Sequence, residues 1–341
     1  MKLYTKGAWR GGDDSIEVIN PFDGQIVDTV PRATAQDVEE AIESAQRGAD
    51  EMKSLTGYER FEILSRATAL LRQRADEIAR TLSMEEGKPL AEALFEVDRS
   101  ALTLELSSEE AKRLSGEVLP LDGGKGVKNK LGFTLRVPCG VIAAIAPFNF
   151  PLNLVCHKVG PAIAAGNSVI LKPASDTPLV ALKLVEILLE AGLPPLGISC
   201  LTGSGALIGE KICSDPRVRK ISFTGSKEVG ERICAIAGIK KVTMELGSNC
   251  PLVVLPDADL NEVANLAVSS AYTNAGQVCI SAQRLIVVDS VREALIETMK
   301  PKVEALKAGD QLLEETGIGP MIRKSDASRV ESWIQEAVGD G

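Results

Sequence analysis

Histidine is almost missing from this sequence, with His157 the one example in 341 residues. Metal centres built on several histidines and Ser–His–Asp triads are thereby excluded, and a Cys–His pair would have to use that single ring. No Cys-x-x-Cys spacing occurs among the seven cysteines, Cys139, Cys156, Cys200, Cys213, Cys234, Cys250 and Cys279. Their number is odd and most lie in apolar runs, which suits a reducing compartment better than a disulfide framework. The start, Met1-Lys2-Leu3-Tyr4-Thr5, lacks the apolar core of a signal peptide, so the expected location is cytoplasmic. No apolar run approaches the length needed to span a bilayer, and no membrane partner is expected. Cations are outnumbered, 38 Lys and Arg against 47 Asp and Glu, for a net charge of −9. That balance argues against nucleic acid as the main partner but leaves a small anionic substrate open, since local cations override a global field.

What is present suffices for a large core: 45% of residues are hydrophobic, and the length suggests about two domains. The order of patterns gives the fold class. Ile16 to Val30 reads as two short strands around the turn Asn20-Pro21-Phe22-Asp23-Gly24. Thr34 can cap a helix running from Asp37 to Met52. Apolar residues at helical spacing, Phe61, Leu64, Ala67, Leu70 and Leu71, predict a second helix over Tyr58 to Glu86, ended by Gly87-Lys88-Pro89. A third covers Leu90 to Leu114.

Short apolar runs follow at Val141–Ala146, Ser168–Leu171, Ile198–Leu201, Lys220–Phe223 and Val242–Leu246. Helical stretches alternate with them at Leu152–Ala165, Pro178–Ala191, Ala206–Ser214 and Lys227–Ala237, which indicates an α/β doubly wound parallel sheet. The segment Leu119 to Val137 reads as a β-hairpin leaving the body. After Glu245 a second βα series begins: a strand at Leu252–Leu255, a helix at Leu260–Ala271, a strand at Arg284–Val288 and helices at Val291–Lys307 and Ser325–Val338. One or two buried strands cannot complete a sheet, so this series is expected to form an incomplete second α/β domain.

Four segments could carry chemistry. Phe223-Thr224-Gly225-Ser226-Lys227-Glu228-Val229-Gly230 runs from strand through a Gly-rich turn into a helix, where backbone N–H groups can approach a phosphate; it equally fits a turn that merely needs glycine. Lys172 and Ser175 stand at the carboxyl end of a parallel strand, where ligands bind in open α/β sheets, though a lone lysine there is more often solvated. Asn149, bracketed by Pro147 and Pro151, could donate to an oxyanion or simply cap the following helix. Cys279 sits among Gly, Gln and Ser, 34 positions after Glu245. A free thiol is usually a small buried hydrophobe, and as a nucleophile it needs activation, for which Glu245 is the available base; otherwise Glu245 is an ordinary carboxylate at a strand end.

Together these segments resemble the aldehyde dehydrogenase superfamily over essentially the whole chain. The resemblance is carried by Met244-Glu245-Leu246-Gly247, Gly276-Gln277-Val278-Cys279 and Pro147-Phe148-Asn149-Phe150-Pro151, with Lys172-Pro173 and Gly225-Ser226 to Gly230 in the right order. It implies that Cys279 forms a thiohemiacetal with an aldehyde, that Asn149 and the Cys279 N–H hold the oxyanion, and that Glu245 activates the water that hydrolyses the thioester. NAD or NADP would be the cofactor, held by Phe148, Lys172, Ser175, Gly205, Phe223, Gly225, Ser226, Gly230 and Leu246. Residues 1–118 and 138–246 would form the dinucleotide-binding domain, 119–137 an oligomerisation hairpin in a homo-oligomer, and 247–341 the catalytic domain.

Three departures from the family pattern bear on function. NAD-preferring members often carry Glu where this chain has Ser175, so acceptance of NADP is expected. Gly247-Ser248-Asn249 replaces a common Gly-Gly-Lys, and resembles the branch acting on lactaldehyde, semialdehydes or glyceraldehyde 3-phosphate; His157 and Arg284 lie near the relevant loops in sequence. The sequence given stops 62 residues after Cys279, before the family's later Glu-x-Phe-Gly-Pro motif and C-terminal strand. The rival expectation is therefore a truncated protein that binds dinucleotide or a partner chain without turnover.

Overall fold

A computed structural model describes residues 1–341. The chain opens with an antiparallel pair that the sequence pattern did not suggest, β1 (Leu3–Thr5) and β2 (Ala8–Arg10). The expected hairpin follows as β3 (Ser15–Ile19) and β4 (Ile26–Pro31). Its turn is held by side chains: Phe22 N–H donates to Asn20 Oδ1 at 3.0 Å and Gln25 N–H to Asp23 Oδ1 at 2.9 Å.

Four helices come next: α1 (Ala35–Ser54), α2 (Gly57–Gln73), α3 (Ala75–Glu86) and α4 (Leu90–Ala111). Thr34 with Asp37, and Thr56 with Glu59, form reciprocal capping boxes at α1 and α2. The single helix expected over Tyr58 to Glu86 is broken at Arg74, whose φ and ψ are −102° and 19°. Helical periodicity persists across the break. The Arg74 guanidinium, 2.5 Å from Glu190, marks the corner. α3 ends at Gly87, whose left-handed φ of 97° suits glycine.

The hairpin expected at Leu119 to Val137 is shorter than its sequence suggests. Only β5 (Val118–Leu119) pairs with β6 (Gly132–Phe133), and the run after Phe133 is not strand. The main sheet then assembles from β7 (Val141–Ile145), β8 (Ser168–Lys172), β9 (Ile198–Cys200), β10 (Val218–Thr224) and β11 (Lys241–Glu245). Its order is β11-β10-β7-β8-β9-β1-β2, parallel from β11 to β9 and antiparallel at the β1–β2 edge. Between the strands lie α5 (Asn153–Ala164), α6 (Leu179–Glu190), α7 (Gly205–Ser214) and α8 (Lys227–Ala237). Of the first-region helices, α2 packs on α4, α5 and α6, while α3 turns toward α4 and α6.

Strand alternation divides the core in two. Ile142 and Ala144 of β7 and Val169 and Leu171 of β8 face α2 to α6, in a cluster of 40 buried residues. Val141, Ala143, Ile145 and Ile170 face the other way, toward α1, α7 and α8, in a cluster of 19. Burial on both faces explains why these strands read as unbroken apolar runs. Each large side chain so buried contributes about 1.5–3 kcal/mol.

The remaining residues form β12 (Cys250–Val254), α9 (Leu260–Tyr272), β13 (Ala282–Val287), α10 (Asp289–Glu304) and α11 (Lys324–Asp340). β12 and β13 make a separate parallel pair over a core of three buried residues, Val254, Ala264 and Leu295. No helix of the protein is long and apolar enough to cross a membrane.

Candidate active site

Parallel strands bring their carboxyl ends to one edge of the sheet, so the segments singled out in the sequence converge there. Ile145, the last residue of β7, is paired with Lys172 on one side and Phe223 on the other, and Thr224 is paired with Glu245. The Pro147-to-Pro151 segment leaves β7 and carries Asn149, whose Nδ2 donates to Gln277 O at 2.6 Å. Asn149 does not cap α5. That helix has no side-chain cap at its own N-cap residue; Glu96 serves instead, its Oε1 accepting from Leu152 N–H and Asn153 N–H at 3.0 Å each.

Cys279 lies half-buried in the loop between α9 and β13. Three successive residues before it, Asn274, Ala275 and Gly276, have φ of 51°, 53° and 76°. Two of the three are not glycine, so the turn carries backbone strain that its surroundings must hold. Gln277 Nε2 donates to Asn274 O at 3.1 Å, Ile322 N–H donates to Gln277 Oε1 at 3.1 Å, and Ser248 Oγ donates to the carbonyl of Cys279.

Cys279 and Asn149 share a cleft of about 900 Å³, whose walls also include Phe148, Ser175, Phe223, Gly225, Ser226 and Leu246, with Trp333 of α11 among them. Phe223 also lines a neighbouring cavity of about 310 Å³ that holds Lys172 and Gly205. Ser226 caps α8 by accepting from Val229 N–H, and Gly225 N–H donates to Glu245 O at 3.1 Å. Gly225 is required by closeness, since a Cβ there would stand 2.5 Å from the Phe223 ring. Lys172 is buried, which pushes its pKa down to about 8, and of its three N–H donors only one has a partner, Pro173 O at 2.7 Å. Two unpartnered donors on a buried amine beside a glycine-lined cavity suit the oxygens of a ribose or phosphate.

Two expected residues stand apart from these cavities. Gly230 lines neither; a Cβ there would be 2.8 Å from Leu246 Cδ2, so it lets α8 approach the end of β11. Glu245 is exposed at the end of β11, outside the cleft wall, and close enough to Lys158 and His157 to bear on their charge. Lys158 is buried and hydrogen-bonded to Thr224 Oγ1 at 2.7 Å; burial pushes its pKa down to about 8, against the opposing pull of Glu245. Burial, then the charges of Arg99 and Lys158, also lower the His157 pKa. Arg284 reaches Asn249 O at 3.2 Å from β13 and does not line the cleft.

The aldehyde dehydrogenase family model matches residues 9–341. The chain belongs to the aldehyde dehydrogenase family. It is 47% identical over 340 residues to the 3-sulfolactaldehyde dehydrogenase of Priestia aryabhattai, covering 99% of this chain and 71% of that protein. It is 44% identical to the aspartate-semialdehyde dehydrogenase 1 of Pseudomonas canavaninivorans, over 96% of this chain and 69% of that one. The crystal structure of an NADP-dependent glyceraldehyde-3-phosphate dehydrogenase from Bacillus halodurans C-125, complexed with NADP, superposes with a TM-score of 0.97 at 34% identity, over 100% of this chain and 72% of that one.

Within this member of the aldehyde dehydrogenase family, sequence reasoning missed Lys88, Glu86, Glu96 and Asn274, which lie directly behind Asn149. Glu86-Gly87-Lys88-Pro89 reads only as a helix end. The available signal was a lysine locked between Gly and Pro and flanked by acids, in a stretch where apolar periodicity buries the neighbours. Lys158 went unnoticed for a similar reason, since a lysine in an apolar helix is expected to reach solvent.

Proposed function

We propose that this protein oxidises a short aldehyde to its carboxylate with NAD or NADP, through Cys279, Asn149 and Glu245. The observation that carries the reading is the shared cleft: Cys279 and Asn149 line one space, beside the cavity that holds Lys172 and Gly205, with Phe223 common to the walls of both. The Cys279 sulfur, as thiolate, adds to the aldehyde carbon and forms a thiohemiacetal. The second N–H of Asn149 and the backbone N–H of Cys279 stabilise the negative oxygen. A nicotinamide dinucleotide, when bound, supplies the hydride acceptor. The acyl group left on Cys279 is released by water, and Glu245 takes the proton. Glu245 is exposed at the end of β11 outside the cleft wall, so this role requires its side chain to rotate toward the cleft.

For the dinucleotide, Lys172 would hold the adenosine ribose, and Gly225, Ser226 and the start of α8 would face the pyrophosphate. Phe148, Gly205, Phe223 and Leu246 would form the walls, with Gly230 setting the approach of α8. NADP is accepted because no carboxylate stands at position 175. The Ser175 hydroxyl donates to Gly203 O at 2.9 Å, so its contribution is the lack of repulsion more than a new donor, and Asp176 beside it is paired with Arg323. The named relatives are a 3-sulfolactaldehyde dehydrogenase and an aspartate-semialdehyde dehydrogenase, which supports a lactaldehyde-like compound, a semialdehyde or glyceraldehyde 3-phosphate as substrate.

In this reading residues 1–118 and 138–246 bind dinucleotide and 247–341 complete the catalytic part. The 119–137 hairpin is the contact surface of a cytoplasmic homo-oligomer, and the exposure of Leu131, Phe133, Leu135 and Val137 supports that role. The test measures reduced cofactor from NAD or NADP with lactaldehyde, aspartate semialdehyde and glyceraldehyde 3-phosphate. Cys279→Ala is expected to lower turnover by more than about 1,000-fold. A variant that retains turnover overturns the reading.

A further inference from the structure

Behind the Asn149 segment lies a charge cluster that the proposed chemistry leaves unused. Lys88 is 1% exposed, and its Nζ donates to Glu96 Oε2 and to Asn149 O, each at 2.7 Å, with the Phe150 ring 4.1 Å away. Asn274 Nδ2 donates to the same Asn149 carbonyl at 3.2 Å and to Glu86 Oε1 at 2.8 Å. The other Glu86 oxygen accepts from Lys88 N–H at 3.0 Å, and Glu92 accepts from Asn274 N–H. Glu96 uses its second oxygen on Leu152 N–H and Asn153 N–H.

The cluster therefore grips three things at once: the peptide of Asn149, the start of α5 beyond Pro151, and the left-handed turn that leads to Cys279. Buried ion pairs add little net stability over apolar side chains of similar volume, so stability alone does not account for one here. What such a network supplies is a single geometry, and an amide aimed at a developing charge depends on geometry.

We propose that Lys88 and Asn274 are positioning residues: by clamping the main-chain carbonyl of Asn149 they aim its side-chain amide at the oxyanion formed on the Cys279 adduct. This rests on the reading of Asn149 as oxyanion donor. Glu86 and Glu96 hold the two clamps in place, and the hydrogen bonds that Asn274 donates to Glu86, Glu92 and Asn149 O hold the strained turn.

The experiment follows Cys279 acylation by p-nitrophenyl acetate, a step that needs no dinucleotide, together with the ester KM, the Tm and the Kd of NADPH by fluorescence. In Asn274→Asp, the donor to Asn149 is lost and a carboxylate faces Glu86; acylation and Tm both fall. Adding Glu86→Gln returns a donor–acceptor pair between positions 86 and 274, and the amide oxygen introduced at 86 still accepts from Lys88 N–H. The double variant is expected to recover its Tm, to hold KM and Kd within about twofold, and to acylate about tenfold more slowly than the parent. The paired variant Lys88→Met with Glu96→Gln, which removes both partners of the ion pair together, is expected to behave alike and serves if the first double variant does not fold. Parental acylation in the folded double variants, with Asn149→Ala impaired, overturns the positioning role and leaves the oxyanion reading standing. Parental acylation in Asn149→Ala overturns both.

Discussion

The seven-stranded sheet and the β12–β13 pair are built from the same βα repeat, yet they are held by different forces. In β7 and β8 every residue is buried, and helices cover both faces. In the pair, Val253 is 61% and Ile286 50% exposed, and α11 has no buried residue at all. A parallel sheet ordinarily depends on cover from both sides. Residues 247–341 are instead tied to the rest by polar bonds and close backbone contact. Leu90 N–H donates to Gln311 O at 2.9 Å, Gln311 Nε2 to Asn20 Oδ1 at 2.8 Å, and Arg323 pairs with Asp176. Asn274 is bound to Glu86 and Glu92. The lesson is that directional bonds to the first region help to place the loop of Cys279.

The largest effect that could break this contrast is a cavity. Leu171→Ala at a fully buried position of β8 is expected to cost about 2–5 kcal/mol in urea unfolding, whereas Ile286→Ala on β13 is expected to cost less than about 1 kcal/mol. Equal losses would show that the two regions are packed alike.

A smaller effect probes the tie between the regions. A Cβ on Gly319 would lie 1.9 Å from Gly87 O, a main-chain atom that no side-chain rotation can relieve. Gly319→Ala is expected to cost about 2 kcal/mol and to slow Cys279 acylation, because Gln277 and Ile322 move with that segment. A variant with parental acylation would mean the Cys279 loop holds itself.

The smallest effect concerns a buried charge within the first region. Lys158 loses its proton at about 8 in the folded protein, below the ordinary value of 10.5 that applies when unfolded. Between those two values the unfolded chain binds more protons, so stability rises with pH across that window and the penalty is fully present below it. Lys158→Met should therefore flatten the pH dependence above about pH 8 by an amount of order 1 kcal/mol. A difference curve between parent and variant that stays flat over that range would sink this account.

Much of the fold was legible because burial on both faces leaves a simple trace. The five runs from Val141 to Leu246 matched β7 to β11 within a few residues, and Thr34 capped α1 as its position implied. β1 and β2 were missed because three-residue strands carry too little periodicity to separate them from loop. The break at Arg74 was missed because helical spacing continues on both sides of the corner, so the pattern does not record it. Of the residues proposed from the sequence, Cys279, Asn149, Phe148 and Ser175 line one cleft and Lys172 the cavity beside it. Lys88, Asn274 and Lys158 were not proposed, since charged and amide side chains are read as solvated until their partners are known.

The sequence by itself determined the strand and helix alternation, the family membership and the residue types that meet at the sheet's carboxyl edge. These follow from periodicity and local chemistry, which are properties of neighbours along the chain. Only the tertiary structure decided that Asn149 reaches toward the Cys279 loop and does not cap α5, that Glu245 stands outside the cleft, and that a buried lysine with its glutamates lies behind the amide. The bonds that fix Asn149, the start of α5 and the Cys279 loop join residues 56 to 188 positions apart, and no local pattern encodes which distant donor will meet which acceptor.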